Sequence, residues 1–460
     1  MKRLIIIVIC GLAVYNSFSQ TITQKLQKAW QQFENDEQVR HAISSLYIID
    51  AATGKVVFDK NSNIGLAPAS TQKVITAATA FELLGKDYRY KTELYVSDKN
   101  GKSDLVIIPS GDPTFGSGRW NRTAGSKVLS RILASIKNEV KSMSWPIYYY
   151  VKGWNSNSIP DGWIWQDIGN YYGAGAEILN WRENQYDIHL QSGNNIGDTV
   201  KIIRSDFENK DYKISSEAIS AAKGSGDNAY AYYPLGTQTV IIRGTIPVNE
   251  KDFTISASYP SGKEAFELAL IDSLQHIYEK PANISSMVLY ETYDAKGKLI
   301  HTEMSPSLDS IIYWFLKKSI NLYGEALVKT IAYEKKGYGA TDTGVNIVKD
   351  FWKQKGIDPL ELNLYDGSGL SPLNRVTTHA QVEVLKYARK QNWFSYFYNA
   401  IPEFNGMKMK SGTISDVKGF CGYQKAKDGK EYIFSFIVNN YNGMSLSLVN
   451  KMYKVLDILK

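Results

Sequence analysis

The feature that most constrains the fold of this chain is an almost entirely apolar run directly after Ser70-Thr71-Gln72-Lys73. Residues 74–81 have the sequence VITAATAF. A helix that is apolar on every side must be buried, so we predict a buried helix from residue 70 to about residue 84. A lysine in the first turn of such a helix loses its hydration, and that cost requires a partner or a function.

Ser70 and Lys73 form a candidate nucleophile and base. Their spacing places both side chains on one helix face, with about 5–6 Å between Cβ atoms, and a serine hydroxyl needs an adjacent base to become a good nucleophile. The same spacing recurs at Ser415 and Lys418, and about two such pairs are expected by chance in a chain of this length. The pair is therefore significant only if other motifs of the chain supply the remaining catalytic groups.

Two further motifs contain residues that could complete such a site. Ser319-Ile320-Asn321 interrupts an apolar helical stretch, and Lys410-Ser411-Gly412-Thr413 lies in a segment with the pattern of a strand. In this order, the three motifs are the S-x-x-K, S-x-N and K-[ST]-G set of penicillin-recognising serine enzymes. The order singles out Ser70, because Ser415 directly follows the third motif and has no buried helix behind it.

Each residue type in the set has a chemical reason. Lys73 can act as a base only when neutral, so its pKa must fall well below ~10.4, and both burial and the charge of Lys410 push it down. Ser319 is expected to bridge the two lysines and to pass a proton to the leaving amine. Asn321 is expected to bind the amide of the substrate.

The third motif is expected to form one wall of the site. Alternate residues of a strand face opposite sides, so Lys410 and Gly412 should face the site together, with Gly412 leaving room for close approach. The backbone N–H groups of Ser70 and Thr413 would form the oxyanion hole. Lys410 and the Thr413 hydroxyl would hold a substrate carboxylate.

The rest of the pattern predicts an α+β fold, a five-stranded antiparallel sheet with helices on both faces. Between about residues 92 and 281 the composition shifts to short β-rich segments, which we interpret as an insertion, residues 92–285, forming one or two small domains. The remaining residues, 20–91 and 286–460, would form the catalytic domain. The predicted strands are 42–49, 56–59, 407–411, 419–425 and 431–439, and the predicted helices outside the insertion are 22–38, 70–84, 307–333, 341–354, 378–389 and 445–459.

The N-terminus has the pattern of a secretory signal. Lys2 and Arg3 precede an apolar stretch at residues 4–14, and small residues near Ser19 mark a cleavage site before Gln20. An uncleaved anchor is the alternative, although the apolar stretch is short for a membrane span. A lipoprotein at Cys10 is a lesser alternative, because Ile9 stands where a small residue is expected.

Charge and composition exclude several classes of function. The net charge is +7, falls to +5 without Lys2 and Arg3, and is not gathered in a block that would bind nucleic acid. After cleavage Cys421 would be alone, which precludes an internal disulfide, and its strand-like surroundings predict a buried, unreactive thiol. The five histidines show no metal-ligand spacing, so we assign them structural or surface roles and expect no metal or organic cofactor.

Longer stretches of the chain resemble one family, the D-alanyl-D-alanine carboxypeptidase/endopeptidases of class C low-molecular-mass penicillin-binding proteins, of the penicillin-binding protein 4 type. The resemblance covers nearly the whole mature chain, and its non-catalytic stretches separate this family from β-lactamases. The matching stretches are APASTQK at 67–73, SGDPT at 110–114, GWIWQD at 162–167, YYGA at 171–174, KSINLYGEAL at 318–327 and DGSGLS at 366–371.

The resemblance implies a transpeptidase-like domain that is split by an insertion between the first two motifs. Two positions depart from the family pattern: Ile320 replaces the usual Asp, and Ser411 replaces the usual Thr while keeping a hydroxyl for substrate binding. Asp366-Gly367-Ser368-Gly369 is first of all a turn pattern and also a family marker.

The sequence therefore predicts an exported, periplasmic or envelope-associated serine D,D-peptidase. It would act on the stem peptides of peptidoglycan through a Ser70 acyl-enzyme, would be inhibited by β-lactams, and would have no membrane span after cleavage of the signal. Two alternatives stay open: a serine β-lactamase, and a non-catalytic wall-binding or β-lactam-sensing protein. The sequence does not indicate an oligomeric state.

Overall fold

The computed structural model of the chain describes residues 21–99, 101–145, 147–207, 209, 211–278, 287–290 and 297–460. The predicted signal, residues 1–19, lies outside the described residues. Within them, no helix has both the length and the apolar character needed to cross a bilayer.

The first part of the chain forms helix α1 (Ile22–Glu34), the antiparallel strands β1 (Ile43–Asp50) and β2 (Val56–Lys60), and helix α2 (Lys73–Leu84). Thr21 caps α1 in a capping box with Gln24, and the buried Leu26, Trp30 and Phe33 form its apolar stripe. Ser70 lies in a 3-10 turn, Ala69–Gln72, that leads into α2. Residues 73–81 of α2 are all buried, which confirms the predicted buried helix.

The middle of the chain forms three sheets. Their orders are β13-β5-β4-β3-β14, β12-β6-β7 and β10-β11-β8, with β9 paired to β11, and apolar side chains from all three form one continuous cluster. The elements are β3 (Lys91–Lys99), β4 (Lys102–Ile108), α3 (Gly125–Glu139), β5 (Ile147–Tyr150), α4 (Trp165–Ile168), β6 (Gln185–Gln191), β7 (Lys201–Ser205), β8 (Lys213–Ser216), β9 (Ile219–Ala221), β10 (Asn228–Tyr232), β11 (Thr239–Pro247), β12 (Phe253–Ser258), α5 (Gly262–Gln275), β13 (Met287–Tyr290) and β14 (Lys298–Met304).

Two features of this region differ from the sequence-based picture. Helix α3 was not predicted, although Val128, Ile132 and Ile136 are buried at helical spacing. Strand β14 pairs with β3 and so continues the sheet of the inserted region beyond residue 285. The division into domains stays a prediction, and we now propose its second boundary near residue 305.

The last part of the chain returns to the sheet that β1 begins. Its elements are α6 (Leu308–Lys317), α7 (Asn321–Lys336), α8 (Thr341–Gln354), β15 (Leu362–Asn363), β16 (Arg375–Val376), α9 (Thr378–Ala388), α10 (Phe394–Ala400), β17 (Glu403–Phe404), β18 (Met407–Ile414), β19 (Val417–Lys425), β20 (Glu431–Asn439) and α11 (Ser445–Leu456). The predicted helix over residues 307–333 is two helices, broken at Ser319 and Ile320 as the second motif indicated.

The central sheet has the order β17-β18-β19-β20-β1-β2 and is antiparallel throughout. It contains the five predicted strands and the two-residue β17 at one edge. Alternate residues of β1 enter different cores: Leu46 and Ile48 pack with α1 and α11, whereas Tyr47 and Ile49 pack with α2 and the helices of the last part. Helices therefore cover both faces, as the α+β prediction requires. Cys421 on β19 is a free cysteine and is buried, as its strand-like surroundings predict.

Candidate active site

Ser70 stands where strand β18 meets the turn before α2. Ala69 before it has a left-handed backbone with φ 47°, and the Thr71 hydroxyl donates to the Pro68 carbonyl over 2.6 Å. A Cβ placed on Gly412 would lie 2.6 Å from the Pro68 carbonyl oxygen and 3.0 Å from the Ser70 nitrogen. Only glycine lets β18 approach this closely, because the nearest atoms belong to backbone that cannot rotate away.

Lys73 is completely buried and has three polar neighbours. Its Nζ lies 2.9 Å from Ser70 Oγ, 2.6 Å from Asn321 Oδ1 and 2.8 Å from the Ser368 carbonyl oxygen. The last two oxygens can only accept a hydrogen bond. A neutral Lys73 therefore donates its two protons to Asn321 and Ser368, and its lone pair is left facing the hydroxyl of Ser70.

The surroundings favour this neutral form. Burial lowers the pKa of Lys73 well below its ordinary value, the positive charge of Lys410 lowers it further, and the carboxyl groups of Asp366 and Glu325 oppose these two effects. Burial of Glu325 raises the pKa of its carboxyl to about 8, so near neutral pH Glu325 adds little negative charge. The arrangement supplies a base in contact with a hydroxyl.

Lys410 lies behind the cleft, 1% exposed. Its Nζ donates to Ser319 Oγ over 2.9 Å and to the carbonyl oxygen of Ser411 over 2.8 Å, and burial lowers its pKa to about 7. Ser319 has a left-handed backbone with φ 59°, which breaks the chain between α6 and α7 and turns this hydroxyl toward Lys410.

The second motif joins the two lysines differently from the predicted arrangement. The partner of Lys73 on this loop is Asn321, and Ser319 is bonded to Lys410. Asn321 also donates one Nδ2 proton to the Tyr172 carbonyl oxygen over 2.7 Å. The Oδ1 atom and one Nδ2 proton are thus bonded to protein, so Asn321 connects Lys73 to the segment around Tyr172.

The turn after residue 365 also positions a contact of Lys73, a role that the sequence did not indicate. The buried Asp366 accepts hydrogen bonds from Gln72 Nε2, Trp163 Nε1, Asn374 Nδ2 and the backbone N–H groups of Gly369 and Ser371. These bonds fix the loop whose Ser368 carbonyl meets Lys73. The signal in the sequence was an aspartate followed by two glycines, in a stretch that also resembles a marker of the family.

We expect Asp366→Ala to lower the free energy of unfolding by about 3–5 kcal/mol, because each buried donor left unpaired costs about 1–3 kcal/mol. Penicillin acylation should slow as well, because the Ser368 carbonyl loses its fixed position. Urea denaturation and acylation rates measure the two effects. Asp87→Ala is the control, since Asp87 is exposed and its ion pair among the described residues is with its neighbour Lys86. An equal, small change in both variants would contradict the role of Asp366.

A cleft of about 490 Å³ opens onto Ser70. Asn321 and Thr413 line this cleft. Residues from the middle of the chain line it as well: Arg119, Asp167, Tyr171, Tyr172, Glu183 and Tyr230. Glu183 receives the Tyr323 hydroxyl and Arg119 Nε over 2.7 Å each. The cleft is therefore lined both by elements of the two ends of the chain and by residues 119–230 of its middle part.

The structure brings most of the predicted site residues together around Ser70. Lys73 is bonded to Asn321, and Lys410 is bonded to Ser319. Gly412 abuts the nucleophile turn, Ser411 supplies a carbonyl, and exposed Thr413 lines the cleft. No histidine lines the cleft. His189, His301 and His379 pair with Asp252, Glu303 and Glu361, and His41 and His276 are exposed.

Comparisons with known proteins cover nearly the whole chain. The family model described as the D-Ala-D-Ala carboxypeptidase 3 (S13) family matches residues 26–456. The D-alanyl-D-alanine carboxypeptidase of Actinomadura sp. (strain R39) is 25% identical over 450 residues, covering 89% of this chain and 80% of that protein. The D-alanyl-D-alanine carboxypeptidase DacB of Haemophilus influenzae is 22% identical, covering 84% and 83%.

A solved structure shares the fold. The crystal structure of penicillin binding protein 4 (dacB) from Haemophilus influenzae superposes with a TM-score of 0.77 at 20% sequence identity, covering 95% of this chain and 99% of that chain. A second structure of that protein, complexed with a β-lactam, gives a TM-score of 0.71 at 19% identity. This likeness confirms the predicted fold class.

Proposed function

The chain belongs to the D-Ala-D-Ala carboxypeptidase 3 (S13) family, and from this premise we propose that it is a penicillin-sensitive serine D,D-peptidase that hydrolyses stem peptides of peptidoglycan through Ser70. The observation that carries the proposal is the position of Lys73. Its amine lies 2.9 Å from the Ser70 hydroxyl, while two fixed acceptors take its protons.

In the first step, Ser70 Oγ attacks the carbonyl carbon of the penultimate D-alanine and its proton moves to Lys73 Nζ. Backbone N–H groups of Ser70 and Thr413 stabilise the oxyanion. The tetrahedral intermediate then expels the amine of the terminal residue. The proton that Lys73 took from Ser70 passes to this amine by way of the Ser319 hydroxyl, which Lys410 holds at 2.9 Å, and Lys73 is neutral again. The products of this step are an ester on Ser70 and a free amine.

In the second step, water attacks the ester. The base at Lys73 accepts a proton of the water, the bond between Ser70 Oγ and the acyl carbon breaks, and Ser70 regains its proton. Carboxypeptidase and D,D-endopeptidase reactions share both steps and differ only in the leaving amine. β-Lactams enter the first step because their strained amide takes the place of the D-Ala-D-Ala bond.

Two alternatives make different predictions. A β-lactamase must deacylate quickly, and a non-catalytic sensor has no need of a base in contact with Ser70. We favour the peptidase because the Lys73 contact and family membership agree. Slow turnover of a chromogenic cephalosporin with a stable adduct on Ser70 would separate it from a β-lactamase. Export of the chain, to the periplasm or envelope, is part of the proposal.

Digestion of purified peptidoglycan tests the function directly. We expect the mature protein to release free D-alanine from pentapeptides, to cleave D,D-crosslinks, or to do both, with products identified by mass spectrometry. Pre-treatment with benzylpenicillin should abolish the release. Unchanged peptidoglycan, under conditions in which a known D,D-peptidase digests it, would refute the proposal.

A further inference from the structure

The proposed substrate carries a carboxylate very close to the scissile bond. In a D-alanyl-D-alanine terminus one residue separates the attacked carbonyl from the α-carboxylate of the leaving residue, a span of at most about 3.8 Å. The group that binds this carboxylate must therefore lie beside Ser70. Thr413 meets this condition, because it follows Gly412 on β18, is exposed, and lines the cleft.

Lys410 is poorly placed to supply the matching positive charge. Its side chain is 1% exposed, and its Nζ is held by Ser319 Oγ and the Ser411 carbonyl oxygen. Burial also lowers its pKa to about 7. This differs from the sequence-based expectation that Lys410 and Thr413 hold the carboxylate together.

Lys418 is better placed. It lies directly opposite Thr413 in the pairing of β18 with β19, and its Nζ donates to Thr413 Oγ1 over 2.7 Å. Burial alone lowers the pKa of Lys418, with no carboxylate among the causes. In the described part of the chain its other close contact is the ring of Phe420, 5.1 Å from Nζ to the ring centre, so its charge is available for a ligand.

The two side chains act as a unit. Because the Thr413 oxygen already accepts a hydrogen bond from Lys418, its own proton is free to point toward an acceptor in the cleft. A carboxylate at that point would receive this proton and lie near an ammonium group that is partly screened from water. Hydrogen bonds to charged groups of this kind are the stronger ones.

We infer that Lys418, together with the Thr413 hydroxyl, binds the α-carboxylate of the residue after the scissile bond and the equivalent carboxylate of β-lactams. The inference rests on the proposed D,D-peptidase function and adds the residue that selects for a charged terminus. Of the second S-x-x-K pair of the chain, the inference gives Lys418 a role in substrate binding and gives Ser415 no role as a nucleophile.

Paired ligands that differ only in the carboxylate test the inference. We expect Lys418→Gln to slow acylation by benzylpenicillin about 10- to 100-fold, the loss expected for a bond to a charged group, and to leave acylation by its methyl ester unchanged. Lys418→Arg should retain most of the preference for the free acid. Lys425→Gln is the matched control, since Lys425 ends the same strand and is exposed.

Rates are followed by mass spectrometry of the acyl-enzyme, and thermal denaturation checks that each variant is folded. Provided that the wild type forms the acyl-enzyme, the inference would be overturned if Lys418→Gln slowed acylation by the acid and the ester equally, or slowed neither. A wild type that neither forms an adduct with benzylpenicillin nor releases D-alanine would instead refute the proposed function, and the inference with it.

Discussion

Replacing Ser70 with alanine is expected to abolish labelling by fluorescent penicillin and to reduce D-alanine release at least about 1000-fold, since removing the nucleophile of such a site costs about as much as removing the whole catalytic set. The substitution deletes one oxygen, whose hydrogen-bond partner in the described structure is Lys73. The fold should therefore survive, and the thermal transition should shift by only a few degrees. Gel fluorescence and a D-alanine assay measure both losses.

Ser415→Ala is the matched control for this change. Ser415 has the same spacing to a lysine, but it is exposed in the turn between β18 and β19. We expect this variant to be labelled like the wild type. Labelling that persists in Ser70→Ala, or that disappears in Ser415→Ala with the fold intact, would show that the nucleophile has been assigned to the wrong serine.

Substitution of Lys73 is expected to have the second largest effect. Lys73→Met removes the base and should slow acylation about 100- to 10,000-fold, the usual contribution of general base catalysis. Lys73→Arg should be equally slow, because a guanidinium has a similar reach but does not lose its proton in a protein and so cannot act as a base. An arginine variant with near-normal acylation would mean that Lys73 acts through its charge and not as a base.

The pH dependence of acylation provides a second test of Lys73. Its lowered pKa means that the amine loses its proton at a lower pH than an ordinary lysine, so the rate should rise with pH through that lowered pKa. The positive charge of Lys410 contributes to the lowering. In Lys410→Gln the pKa of Lys73 should therefore move up, and the rising limb of the pH–rate profile should shift to higher pH.

The sequence predicted the centre of the fold because its signals were local. An apolar run such as residues 74–81 can only be buried, and the segments of β1 and β2 were predicted as strands from their own residues. The amphipathic helix α3 was missed although its buried residues, Val128, Ile132 and Ile136, recur at helical spacing, because the region around it is rich in short β segments and turn residues. The pairing of β14 with β3 could not be predicted, because strands distant in sequence find each other only through tertiary packing.

The site shows the same division between local and distant signals. Three motifs indicated Ser70 and Lys73, but the hydrogen bonds of Asp366 join residues as distant as Gln72 and Trp163, which no spacing reveals. Lys418 was set aside as part of a chance match. Its importance comes from its register opposite Thr413, a relation between two strands that a linear motif does not contain.

Helix α7 limits how far this protein can be treated as modular. Asn321, Tyr323 and Lys329 on this helix bond to Tyr172, Glu183 and Ala176 of the inserted region, and the first of them also holds the base. A variant that lacks the proposed insertion would leave these three side chains without the partners they have in the structure. Loss of the proposed insertion would therefore disturb Lys73, the proposed base, through Asn321.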